Sequence, residues 1–396
     1  MGDKTKSRPA APVTTELDEF IRDRMHQAKL PGLAAALVKD GHLLWAKGFG
    51  WADVEGQRPV TTDTVFKVAS ISKTVTAATI LKACEDGLLD LDGPVNEHLP
   101  FAVTHPRDAK KPITLRMLLS HTSGLRDNPD ILETLYTVGE VRHNLRQFLN
   151  DYLKSGGCYY DAQANFTEES PGTAFEFCSV GLSLAGYVLE CVAGQPFDAY
   201  TERSVFELLG MDGAAWWPAR IEKAPLAYPY RHVRFMDAFE HYGHYAFPHY
   251  PGSGLHCSVA QLWRLFGVFS GERLHGVPQL LSDDTARLMR TEHYPDAGPG
   301  IGLGCYYEER DGLKLLGHAG ADHGVAARMF WNEAQHAGVI TLGNGEPTTK
   351  ARWTLMAIEN RLFDAAQALD EAAFRSAEPE PNYEDRVVPF PKRHAS

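Results

Sequence analysis

Leu17, Phe20, Ile21 and Met25 recur at helical spacing between Thr14 and Leu30, with Thr14 or Thr15 available as N-cap and Pro31-Gly32 ending the run. Two apolar runs follow, LAAALVK and HLLWAKG, on either side of Asp40-Gly41. That dipeptide accepts left-handed backbone angles, so it predicts a tight hairpin. A second helix is predicted from about Ser70 through Val75, Ile80 and Leu81 to Gly87, which suits a C-terminal cap. Between about 90 and 250 the pattern reads as mostly helical, in pieces separated by Pro- and Gly-rich loops. One short helix should run from Thr114 to the HTSG turn, and another from roughly Gly181 to Cys191. Beyond 300 the pattern returns to strands in LGCYYEE, LKLLGHAG, VAARMFW and GVITLG. A last amphipathic helix follows Pro347 and turns Leu355, Ile358 and Leu362 inward.

Hairpin first, helices in the middle and strands last predict an α/β (α+β) fold with one antiparallel sheet assembled from both chain ends. The sheet region takes about 14–69 and 251–366, and a mostly helical subdomain is inserted over about 70–250. All of 14–376 reads as one domain, with a disordered arm at 1–13 and a loose, Pro- and Glu-rich tail at 377–396. There are no internal repeats. A cleft is expected where sheet and insert meet.

Composition narrows the class. At 396 residues, 44% hydrophobic and 23% charged, the chain is an ordinary globular one with room for a large core. No apolar run approaches the roughly 18 residues of a membrane span. The net charge of −12, with both signs interspersed, argues against nucleic acid as a partner. The opening MGDKTKSRPAAP lacks the apolar stretch of a secretory leader. It predicts a cytoplasmic chain, unless a leader was removed before this numbering begins. Cys84, Cys158, Cys178, Cys191, Cys257 and Cys305 are scattered without a CxxC pair and read as mostly buried, reduced thiols.

The chemistry concentrates at Val68-Ala69-Ser70-Ile71-Ser72-Lys73. On a helix, Ser70 and Lys73 stand one turn apart on one face, within mutual reach. A serine hydroxyl needs a base, and a lysine serves when burial or a neighbouring cation lowers its pKa toward neutrality. The N–H groups of a helix start favour a developing oxyanion. An S-x-x-K string alone occurs by chance in many chains of this length, so its surroundings decide its meaning.

Those surroundings are specific. TVFKVASISKTVTAATILKACEDGLLDLDGPV (64–95) resembles the active-site helix of the serine β-lactamases and penicillin-binding proteins, in the branch of class C β-lactamases and family VIII carboxylesterases. ITLRMLLSHTSGL (113–125), PGTAFEFCSVGLSLAGYVLE (171–190), PGSGLHCSVAQLWRLF (251–266) and GHAGADHG (317–324) resemble later landmarks of that branch in the right order. The resemblance spans roughly residues 14–365. It implies a serine hydrolase or acyl-transfer enzyme, most simply an esterase, acting through an acyl-Ser70 intermediate with Lys73 as base and no cofactor or metal. It also implies an oxyanion hole from the N–H groups of Ser70 and Ala321. The third motif, His318-Ala319-Gly320, would line the cleft, its small residues allowing close approach of a substrate. A small ester, amide or lactam is the expected partner; neither membrane nor nucleic acid is, and the oligomeric state is left open.

The resemblance breaks at the second motif. Where the family carries Tyr-x-Asn, this chain has Phe177-Cys178-Ser179. A phenyl ring neither accepts nor donates a proton, so the usual serine–lysine–tyrosine relay cannot pass through it. Ser179 keeps hydrogen-bonding capacity with less reach than asparagine. Three accounts stand: Lys73 works alone; Tyr159, Tyr160, His318 or His323 supplies the missing group; or hydrolysis has been lost and the pocket binds a ligand or runs another reaction, such as acyl transfer to a natural-product acceptor. Other strings read as structure. GLSLA (181–185) lies inside a predicted helix rather than on a strand-to-helix elbow, and GIGLG (300–304) precedes a strand rather than a helix. The histidines and aromatics of 228–256 match no familiar zinc spacing and offer either a pocket wall or ordinary core.

Overall fold

The structure, a computed structural model, describes residues 13–139, 144–221, 225–298 and 300–368. The N-terminal arm and the C-terminal tail expected from the sequence fall outside the described residues, apart from Val13. Helix α1 (Val13–Ala28) leads into strands β1 (Gly32–Lys39) and β2 (His42–Asp53), with a two-residue β3 (Arg58–Pro59) beside β2. Because α1 begins at Val13, Thr14 and Thr15 lie within it rather than capping it. Asp40 and Gly41 both take positive φ, 48° and 77°, which makes the tight primed turn their sequence announced.

The C-terminal strands are β6 (Tyr306–Arg310), β7 (Leu313–Asp322), β8 (Val325–Asn332) and β9 (Ala337–Gly343), and a two-stranded ladder elsewhere joins β4 (Phe66–Lys67) to β5 (His256–Cys257). One antiparallel sheet runs β6-β7-β8-β9-β1-β2-β3, so the two chain ends meet where β9 pairs with β1, Leu33 opposite Gly343. Strand β1 is buried on both sides. Leu33, Ala35 and Leu37 face α1 and the last helix, α5 (Thr349–Ala368); Ala34, Ala36 and Val38 face the larger core. Leu355, Ile358 and Leu362 pack inward from α5 as expected.

The insert is less helical than its sequence suggested. Helix α2 (Ser72–Glu85), a one-turn α3 (Leu115–Leu119) capped by Thr114, and α4 (Ser179–Ala193) form its core. Much of the remainder is loops, short helical turns and small two-stranded ladders. Its frequent prolines and glycines leave few stretches able to sustain a helix. GLSLA lies within α4, as read. All six cysteines are unpaired; Cys178, Cys257 and Cys305 are buried, Cys84 and Cys191 partly so, and Cys158 is exposed.

One buried charge network fastens α5 to the sheet. Glu359 is wholly buried and receives Arg328 Nε from β8 at 2.8 and 2.9 Å and Arg310 Nη2 from β6 at 2.9 Å. Glu308 takes the other face of Arg328 at 2.8 and 3.0 Å, which balances two cations with two anions. Removing one member strands a buried charge. Glu359→Leu should therefore cost about 3–5 kcal/mol in urea unfolding, whereas Arg287→Ala, which breaks the exposed Arg287–Asp284 pair, should cost about 0.5 kcal/mol or less.

Candidate active site

The chain leaves β4 through Val68 and reaches Ala69, whose φ of 47° is unusual for a residue with a side chain. A tight 3-10 turn over Ala69–Ile71 follows, and α2 begins only at Ser72. Ser70 therefore sits on the turn ahead of the helix, half-exposed, while Ala69 and Ile71 are buried. A left-handed alanine costs of order 1–3 kcal/mol, and here it turns the serine out toward the cleft.

Helix α2 is almost entirely buried, so each of its polar side chains needs a partner. Ser72 Oγ donates to Ala69 O and accepts from Leu255 N, Thr74 donates to Gly304 O, and Thr76 donates to Pro251 O. Lys73 reaches Ser70 Oγ at 3.0 Å, Ser179 Oγ at 3.0 Å and Gly252 O at 2.7 Å. Burial drives its pKa down to about 8 against the opposing field of Asp127.

The replaced second motif lies on the other side of this amine. Phe177 is 42% exposed at the cleft, its ring centroid 4.7 Å from Lys73 Nζ. The His121 ring stacks on it at 4.6 Å, and the His318 ring lies 6.0 Å away. Both imidazoles are buried and, with Lys73 nearby, held neutral: His121 well below its ordinary pKa, His318 down to about 3. His318 Nδ1 lies 2.6 Å from Ala319 O, so it is the protonated nitrogen of the neutral ring. The cleft thus receives no cation from His318. Of the remaining third-motif residues, Ala319 turns its side chain away from the expected cleft, because successive residues of β7 face opposite sides and Ala319 packs toward α1 and α5, while Gly320 approaches the turn that carries Ser70. A Cβ at Gly320 would stand 2.2 Å from Val68 O, so only glycine allows β7 to pass this close to the turn carrying Ser70. Ala321, next along β7, is exposed.

The alternative proton carriers are dispersed. Tyr159 and Tyr160 pack against the helical core, Tyr160 5.8 Å from the Phe166 ring. His323 pairs with Glu133 at 3.1 Å and sits among Tyr136, Tyr242 and Tyr245. Of the four candidates, His318 alone borders Phe177, and its pKa near 3 makes it a poor base at neutral pH. Tyr245, Phe247, His249 and His256 from the aromatic stretch are buried packing.

Two residues went unassigned in the sequence. His121 Nδ1 accepts from Cys178 N at 3.1 Å, and Asp127 accepts from Ser179 N at 2.7 Å and Val180 N at 2.9 Å. Asp127 thereby caps α4 with a negative charge at its positive end and fixes the backbone of Ser179. The only hint in the sequence was the position of both in and just after the HTSG segment. Asp127→Ala should lower stability by about 1–2 kcal/mol, read from chemical denaturation, whereas Asp130→Ala, at an exposed position nearby, should stay within about 0.5 kcal/mol.

A family model described as Beta-lactamase matches residues 17–360. Esterase EstB of Burkholderia gladioli is 30% identical over 246 residues, 59% of this chain and 60% of that protein. The mouse mitochondrial serine beta-lactamase-like protein LACTB is 39% identical over 127 residues, 31% of this chain and 23% of its own length. The chain thus spans less than two thirds of these relatives. Among solved structures, the D-amino acid amidase of Ochrobactrum anthropi SV3 superposes with a TM-score of 0.72 at 18% identity over 90% of this chain and 99% of that one. EstCE1, a hydrolase with promiscuous acyltransferase activity, gives 0.67 at 20% identity over 89% and 98%. At these identities the structural likeness speaks for the fold.

Proposed function

Because the chain belongs to the beta-lactamase family, we propose that it is a serine hydrolase that transfers an acyl group through Ser70, with Lys73 as sole base and a small neutral ester as the preferred substrate. The observation that carries this reading is the surroundings of Lys73 Nζ. A neutral amine has two N–H groups and one lone pair. Gly252 O can only accept, so it takes one N–H, and Ser179 Oγ takes the other. The lone pair is left for the Ser70 hydroxyl proton.

In the forward step Lys73 takes that proton while Ser70 Oγ attacks the carbonyl carbon. The N–H groups of Ser70 and Ala321 hold the oxyanion, each worth about 3 kcal/mol of barrier. The resulting Lys73 ammonium returns the proton to the leaving alkoxide. A water then repeats the sequence on the acyl-enzyme. Phe177, Ser179, His318 and Gly320 line the substrate's approach, whereas the Ala319 side chain, on the opposite face of β7, packs toward α1 and α5 and offers the cleft only backbone. Neutral His318 gives a substrate carboxylate no partner, which favours neutral esters over β-lactams, and the esterase relative supports the same choice. Phe177 and Ser179 favour a second reading, a scaffold that binds its ligand without turning it over. A fluorophosphonate separates the two: phosphonylation at Ser70, absent in Ser70→Ala, supports the enzyme, and no mass gain at millimolar probe supports the binder.

With Lys73 as base, kcat/KM for an activated ester should rise with pH along one ionisation near 8 and level off above it, since only the neutral amine accepts a proton. A profile flat from pH 6 to pH 10 would remove Lys73 from the role. Phe177→Tyr adds a hydroxyl beside Lys73 that should change stability by no more than about 1–2 kcal/mol. Ester turnover should hold or rise, because a phenol near an ammonium ionises more readily and can relay protons. A tenfold loss of kcat/KM with an unchanged melting point would mean that another group already fills the relay.

A further inference from the structure

Lys67 lies three residues before Ser70 and takes no part in the chemistry above. Its side chain is 5% exposed, and among the described residues no hydrogen bond of good geometry reaches its Nζ. The ammonium instead stands 3.4 Å from Asp322 Oδ2, with the Tyr245 ring at 4.1 Å and the Phe247 ring at 5.1 Å. Burying an ammonium with so few partners is unfavourable, and an apolar side chain of equal length would fill the space more easily.

What distinguishes Lys67 is the pair of segments it joins. Two residues after it comes Ala69, with its left-handed backbone, and then Ser70. Asp322 directly follows Ala321 on β7. The same two segments already touch where Gly320 passes the Val68 carbonyl. The ion pair adds a second contact, one residue before Val68 and two residues after Gly320. Its far end is braced as well: Asp322 Oδ1 accepts from His323 N at 2.8 Å, and the Tyr245 hydroxyl donates to His323 O at 2.8 Å. Tyr245 therefore both covers the ammonium and holds the backbone beyond Asp322.

We propose that Lys67 is a positioning residue for the oxyanion hole, its ion pair with Asp322 setting the spacing between the backbone N–H groups of Ser70 and Ala321. This inference rests on the acyl-transfer reading above. The two donors lie on a turn and a strand remote in sequence, and a displacement of 1 Å in such a site costs about 100-fold in rate. Charge is what the clamp needs, since a neutral side chain would leave Asp322 to turn toward solvent.

The test begins with wild-type protein and a fluorophosphonate. Absence of label at Ser70 overturns the acyl-transfer reading, and this inference with it. Given labelling, Lys67→Met, Lys67→Arg, Asp322→Asn and the Lys67→Met/Asp322→Asn double variant are compared by kcat and KM on one p-nitrophenyl ester, alongside melting temperature. Lys67→Met should lower kcat about 10- to 100-fold with KM changed less than about threefold, because the hole acts on the transition state. Lys67→Arg should recover most of kcat, and the double variant should lose no more than the worse single, as members of one unit do. Should Lys67→Met not fold, Asp322→Asn and Lys67→Arg carry the comparison. A Lys67→Met or Asp322→Asn enzyme with wild-type kcat and a lower melting temperature overturns the inference, as do losses confined to KM or additive losses in the double variant.

Discussion

A buried lysine amine dictates the arrangement of this site. Lys73 is wholly buried, so the groups on three sides of Nζ decide both its charge and its direction. The Gly252 carbonyl is the least negotiable of them, since it can only accept. It comes from a one-turn helix, Tyr250–Ser253, that Thr76 of α2 also grips through Pro251 O. The proposed base is therefore aimed on one side by backbone that α2 pins in place and on the other by the Ser179 hydroxyl. Asp127 contributes at longer range: its field opposes desolvation and keeps the amine from losing its basicity altogether.

Charge economy around Lys73 explains why its histidines are neutral. His121 and His318 both flank the Phe177 ring, and each is held in its uncharged form by burial and by Lys73 itself. The effect is reciprocal, for a protonated imidazole here would depress the lysine further. A phenyl ring fits between them without adding a titrating group. Its face attracts an ammonium more weakly than a hydrogen bond would, and its apolar bulk keeps water away from Nζ. Loss of the tyrosine relay and retention of a basic lysine are thus compatible, provided the lysine's other contacts stay fixed.

The sequence made some of this legible and hid the rest for physical reasons. Hairpin β1–β2, α2, α4 and the C-terminal strands announced themselves because each buries a face or two at a fixed period. The pairing of Ser70 with Lys73 followed from helical spacing, although the serine proved to stand on a 3-10 turn ahead of the helix. Nothing in Val68-Ala69-Ser70 signals a left-handed alanine, nor that β7 crosses beside it at Gly320. The insert is less helical than its pattern implies, since short apolar pieces between prolines match a helical period without being long enough to sustain it. Asp127 and His121 were invisible as partners of α4 because their bonds run to backbone N–H groups 52 or more residues away in sequence, and such groups carry no residue-type signal.

Topology ties completion of the fold to completion of the site. Ser70 follows the N-terminal strands, and Ala321 lies near the end of β7, which joins them only through β8 and β9. β9 in turn pairs with β1 across some three hundred intervening residues. Closure over so long a loop is entropically late, because local contacts form before distant ones repay their ordering. The turn bearing Ser70 can form early with α2, but the close pass of Gly320 over Val68 exists only once the C-terminal strands have docked. A nucleophile without its facing strand has a base and no oxyanion donors from β7. The chemistry proposed for this chain would therefore switch on with the last long-range pairing rather than build up with the helical insert, and the local stability of the site would follow the stability of the sheet seam.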